Sequence, residues 1–138
     1  MKLTYFNPNP DDKMFKSGKR KIWCREDSSI RAIAAAMNIT WDDAYKRLSE
    51  IALRIHDVPT SKNVMHEFCI LNNFEHTTYG KPKAGEVRPT LANFADEMTK
   101  GTYIVYLSHY FICVKDGEVF DVANEADSSI YSYWKLID

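Results

Sequence analysis

From Ser28 onward, apolar residues recur at three- and four-residue steps. Ile30, Ile33, Ala34 and Met37 share one face, which predicts a helix opening at Asp27 or Ser28 and ending near Asn38. Asp27 and Ser28 are both good N-cap residues. Ala32, Ala34, Ala35 and Ala36 keep this helix slim, which suits close packing against a neighbour. Thr40-Trp41-Asp42-Asp43 resembles a capping box with Asp in place of Glu. Trp41, Ala44, Tyr45, Leu48, Ile51, Ala52 and Ile55 then form the stripe of a second helix. Pro59-Thr60-Ser61 halts the chain and opens a third, with Val64, Phe68 and Leu71 inward and Asn72-Asn73 at its end. Lys81-Pro82-Lys83-Ala84-Gly85 is a turn-rich loop. Thr90 caps a short helix over Leu91 to Lys100, with Gly101 as its left-handed terminal residue.

After Gly101 the pattern changes. Thr102 to Lys115 is dense in Tyr, Ile, Val and Phe, as strands are. Lys115-Asp116-Gly117-Glu118 is a two-residue hairpin signal. Glu118 to Ala123 is the return strand, and Ile130 to Ile137 a further one. Helices first and strands afterwards define an α+β fold, a helical half followed by a small antiparallel sheet. Residues 7–21, rich in Asn, Pro, Asp, Lys and Gly, read as a loop. The expected organisation is one domain over residues 1–138, with 1–21 as a loop-rich N-terminal arm.

Composition narrows the function classes. At 138 residues the chain can bury one sizeable core. A formal net charge of −1 gives no overall pull toward nucleic acid or an anionic membrane. The one basic cluster, Lys13, Lys16, Lys19, Arg20 and Lys21, reads as a solvated loop. No apolar targeting segment and no bilayer-length run is visible, so no membrane partner and a cytoplasmic location are expected. Cys24, Cys69 and Cys113 are odd in number and lack paired spacing, which fits a reducing compartment. Without a CxxC pair, a structural zinc site is not expected.

Candidate chemistry comes from two places. If Asp116 and Gly117 form the hairpin turn, Asn124 faces His109 across the strands, within about 5 Å at Cβ. Asp121 then faces Ile112 and points to the other side; it is the reserve partner if the loop length differs by one residue. An imidazole needs such a partner to fix its tautomer before it acts as a base. The second place is the start of the first helix, where free N–H groups and the positive end of the dipole favour a thiolate and can stabilise an oxyanion. Ser28 and Ser29 stand there. By itself Ser28 reads as an N-cap, worth about 1 kcal/mol. Arg31 either anchors a carboxylate or is a surface charge. Cys24 precedes the cap, while Cys69 and Cys113 read as small buried hydrophobes. His66 reads as a surface residue, and His56 and His76 as solvated.

The order of these segments resembles that of papain-like cysteine peptidases: a nucleophile at a helix start, more helices, then His on a strand and Asn or Asp on the next. More narrowly, the chain is similar to small bacterial and phage-encoded proteins of papain-like (C39-peptidase-like) fold. Asp27-Ser28-Ser29-Ile30-Arg31-Ala32 matches their Asp-Cys-x-x-Arg-Ala, with Ser28 at the cysteine position. Thr40-Trp41-Asp42-Asp43-Ala44-Tyr45 matches their Ser/Thr-Trp-x-x-x-Tyr helix, and Ser108-His109 their Gly-His. Lys115-Asp116-Gly117, the segment Phe120 to Asn124, and Tyr133-Trp134 follow in the same order. The likeness covers about residues 22 to 138.

That resemblance implies hydrolysis of a peptide or isopeptide bond. Ser28, or a Cys in its place, would attack the acyl carbon. His109 would take and return the proton, Asn124 would orient it with Asp121 in reserve, and amides near Ser28 and Ser29 would hold the oxyanion. No metal or organic cofactor is required. Three departures stand out: Ser28 for Cys, Ser108 for Gly and Ala123 for Trp. Serine is a far weaker nucleophile than cysteine at neutral pH. Ser28 therefore reads as a cysteine replaced by hand, as a natural serine form, or as the mark of a fold that lost its reaction. The last makes the chain a catalytically silent protein-binding module (a pseudoenzyme), engaging a host protein in the host cytoplasm if phage-encoded.

Overall fold

The computed structural model describes residues 1–11 and 26–137. Cys24 and the basic positions from Lys13 to Lys21 lie outside them. Strand β1 (Lys2–Tyr5) comes first, followed by helices α1 (Ser28–Met37), α2 (Trp41–Ile55) and α3 (Lys62–Leu71). Then come β2 (Phe74–Thr78), α4 (Leu91–Glu97), β3 (Thr102–Leu107), β4 (Tyr110–Lys115), β5 (Glu118–Asp121) and β6 (Ser132–Leu136). The fold is α+β, with a six-stranded sheet in the order β1-β5-β4-β3-β6-β2.

The helix starts follow the sequence signals closely. Thr40, Ser61 and Thr90 each accept a hydrogen bond from the backbone N–H three residues on, at 3.1, 3.1 and 3.2 Å. Asn38 and His56 end α1 and α2 in left-handed geometry. The alanines of α1 permit the expected close approach: Ala32, Ala34 and Ala35 are buried, and the helix lies against β4.

Strand alternation divides the interior. Ile104, Phe111 and Trp134 join Ile30, Ile33, Leu48, Val64 and Phe68 in the core under α1–α3. Tyr103, Val105, Leu107, Ile112, Val114 and Val119 pack with Leu91, Phe94 and Ile130 in a second core beneath α4. Both faces of β3 and β4 are thus covered, which is why these strands read as continuous apolar runs.

Several expectations are corrected. The sheet is mixed rather than antiparallel, because β1 pairs in parallel with β5, Lys2 beside Glu118 through Tyr5 beside Asp121. A strand therefore lies within the expected N-terminal arm. Four residues of mixed polarity carry too little alternation to announce it. β2, likewise short and polar, gave no signal either. The run from Thr102 to Lys115 is two strands folded back through a tight turn at Ser108-His109, with Leu107 paired to Tyr110. Such turns are announced by Asn-Gly or Asp-Gly, and here His109 itself takes the left-handed φ of 57°. Helix α4 stops at Glu97, short of Lys100. Gly101 has φ 104° but serves the β4–β5 turn instead: its N–H donates to Asp116 Oδ1 at 2.8 Å and its carbonyl accepts the Asp116 N–H at 2.9 Å. Leu71 is exposed rather than inward.

Candidate functional site

Helix α1 delivers its first residue to the start of β4. Ser28 is 9% exposed, and its Oγ accepts the backbone N–H of Phe111 at 3.2 Å. The serine therefore tethers helix to sheet. Ser29 is buried beside it, and its hydroxyl finds no partner among the described residues.

Asp27 occupies the N-cap position, yet its side chain caps nothing. Its carboxylate instead accepts from the Arg31 guanidinium one turn along, from Asn9 Nδ2 at 3.1 Å and from Trp41 Nε1 at 3.0 Å. Arg31 reaches on to the sheet, where its Nη2 donates to Tyr110 Oη at 2.8 Å and lies 3.7 Å from Asp121 Oδ1. The Tyr110 hydroxyl donates to the same Asp121 oxygen at 2.8 Å, as does the Val122 N–H, also at 2.8 Å. One buried guanidinium thus bridges two buried carboxylates through a tyrosine. Of the two readings of Arg31, the carboxylate anchor is the one the structure contains.

The electrostatics follow from burial. Removal from water raises the Asp121 carboxyl above its ordinary value, as does nearby Glu125, while Tyr110, the Val122 amide and Arg31 pull the other way. Burial, the hydrogen bond to Asp121 and that residue's charge also raise the Tyr110 phenol, against the pull of Arg31. The second oxygen of Asp121 has no hydrogen-bond partner among the described residues.

The expected site residues divide. Ser28 and Asp121 lie in one neighbourhood, joined through Phe111, Tyr110 and Arg31. His109 sits on the exposed turn two residues before Phe111, its amide donating to Tyr106 Oη at 3.3 Å. Among the described residues its imidazole has no hydrogen-bond partner. The β4–β5 register is the expected one through Cys113 beside Phe120, but β5 ends at Asp121. Asn124 is consequently in an exposed loop, where its Oδ1 accepts the Ala126 N–H at 3.0 Å. The expected cross-strand pair of His109 and Asn124 is not formed, because no strand extends to hold it.

Tyr110 is the residue that sequence reasoning missed. It follows His109 directly and makes the contact to the neighbouring strand expected of an imidazole. The expected β4–β5 register holds and sets Tyr110 two residues from Ile112, on the face of Asp121; what the sequence does not announce is the turn at Ser108-His109 that starts β4 at Tyr110. The described cysteines offer no alternative nucleophile: burial raises the Cys69 thiol strongly and pushes Cys113 up to about 12. Among the described residues no cluster of three or more His, Cys, Asp or Glu is placed to hold a metal ion, and no helix is long and apolar enough to cross a membrane. Comparisons of the chain with protein-family models, curated proteins and solved structures find no match.

Proposed function

We propose that this chain is a papain-like domain that binds protein without cleaving it, its nucleophile position held by a serine with a structural task. The observation that carries this reading is the Ser28 hydroxyl accepting the Phe111 amide inside the fold. The position that would orient a catalytic base is also occupied, since Asp121 is held by Tyr110, Val122 and Arg31. The partner class is a peptide or a protein, a host protein if the chain is phage-encoded, and the location is the cytoplasm. No metal, organic cofactor, nucleic acid or membrane enters this reading.

One observation favours the hydrolase as the second reading: the turn bearing His109 borders the helix start, two residues from the amide that holds Ser28. In that reading Ser28 attacks a peptide or isopeptide carbonyl, His109 transfers the proton, and Asn124 or Asp121 orients the ring. The two readings part on Ser28→Cys treated with a thiol-directed electrophile near neutral pH. The binding module predicts labelling at that position no faster than at the native cysteines. Rapid labelling that disappears with His109→Asn, a change that tolerates the left-handed backbone, would replace it with the hydrolase.

A further inference from the structure

A second polar cluster lies where α3 meets β2 and β6. Trp134, on β6, is fully buried, and its indole Nε1–H donates to His66 Nδ1 at 3.1 Å. His76, opposite Trp134 in the β2–β6 ladder, stacks on that indole with ring centroids 4.6 Å apart and planes 18° from parallel. The two imidazoles meet edge to face at 5.1 Å. Nε2 of His76 is buried with no hydrogen-bond partner among the described residues. The surface and solvated roles expected for His66 and His76 are thus corrected: both histidines pack on a core tryptophan, at the wall of an open cleft of about 700 Å³.

We propose that His66, His76 and Trp134 form an acid-sensitive latch, holding α3 to the β2–β6 edge and loosening as pH falls through the imidazole range. A nitrogen that accepts the indole proton must keep a lone pair. An imidazolium carries N–H on both nitrogens and would set donor against donor. Charging both rings would also place two cations side by side, next to Lys62.

The surrounding groups do little to offset this. From α3 the rings face Lys62 and Glu67, and from the end of α2 they face His56 and Asp57. Glu67 is engaged by Arg54 at 3.7 Å, and Asp57 by the Val58 amide at 2.7 Å and Asn63 at 3.3 Å. Glu75 and Lys135, the neighbouring pair in the ladder, are directed to the opposite face of the sheet. Burial, then the charges of His66 and Lys62, lower the His76 imidazole below its ordinary value. The folded form therefore binds fewer protons than the unfolded chain. The stability this provides is complete above a pH of about 6.5 and is lost as pH falls below it.

The latch reaches toward the candidate site, because the rings of Trp134 and Phe111 pack with centroids 6.1 Å apart, and the Phe111 amide holds Ser28. Thermal unfolding of the full chain between pH 7.5 and 5.5, with the Trp134 indole N–H followed by NMR, tests it. The midpoint should fall by at least about 3 °C on acidification, and the indole proton should lose its exchange protection over the same interval. His66→Asn retains an acceptor near the Nδ1 position without titrating; combined with His76→Gln it should abolish most of the shift. An equal shift in wild type and double variant overturns the proposal. So does an indole proton that stays protected throughout, a readout on the wild-type chain that stands even if the variants do not fold.

Discussion

Among the described residues two polar clusters lie against the cores, and they answer the problem of removing polarity from water in opposite ways. At the start of α1, Asp27, Arg31, Tyr110 and Asp121 are charged or strongly hydrogen-bonding groups drawn from a helix and two strands. At the end of the sheet, His66, His76 and Trp134 stay together only while a histidine nitrogen is free to accept. The first cluster sets charge against charge, so its cost of desolvation is offset in part, and only as long as every partner is present. The second avoids charge, so a proton alone can disturb it. Their pH responses have opposite sign. Asp121 is raised, so the folded state holds its proton more tightly, and this group contributes more stability as pH falls toward the ordinary carboxylate range near 4. His76 is lowered, and contributes less as pH falls below about 6.5.

Removing Arg31 breaks the comparison most severely. Arg31→Met leaves Asp27 and Asp121 buried, 6% and 3% exposed, without their cation. Unfolding in urea should show a loss of about 3–5 kcal/mol. A loss below about 1 kcal/mol would mean that water already solvates these carboxylates. Ser28→Ala should cost about 1–2 kcal/mol in the same experiment, since it strands the buried Phe111 N–H. A neutral result would mean that the Phe111 amide does not depend on Ser28 and that the serine has no structural task there. The smallest effect concerns pH. The stability difference between wild type and Asp121→Asn should shift in favour of wild type as pH is lowered from 6 toward 4. The corresponding difference for His76→Gln should shift against wild type between pH 7.5 and 5.5. Equal slopes in the two pairs would erase the distinction between the clusters.

The two clusters also differed in how far they could be read in advance. Asp27, Ser28 and Arg31 are local to one helix start, and an i, i+4 pair of opposite charge is visible in the sequence. Their link to Asp121 was not, because it runs through Tyr110, and Tyr110 takes its place only once the chain turns at Ser108-His109. That turn lacks the usual glycine or asparagine, so nothing local announces it between the two strands. The histidine cluster was not legible at all. His66 and His76 are separated by a helix end and a strand too short and polar to announce itself, and His66 and Trp134 lie on different elements far apart in the chain.

What the sequence determined by itself is local: among the described residues the starts of α2, α3 and α4 are set by Thr or Ser side chains bonding the next free amides, and the Asp-Gly hairpin sets the β4–β5 register. These interactions span a few residues, so local chemistry suffices to specify them. What only the tertiary structure decided is which side chains meet. It placed β1 parallel to β5, ended β5 before Asn124, put Tyr110 rather than His109 against Asp121, and set two histidines on a buried indole. Each of these depends on strand ends and turns whose free energies differ little among the alternatives until the two cores close around the sheet.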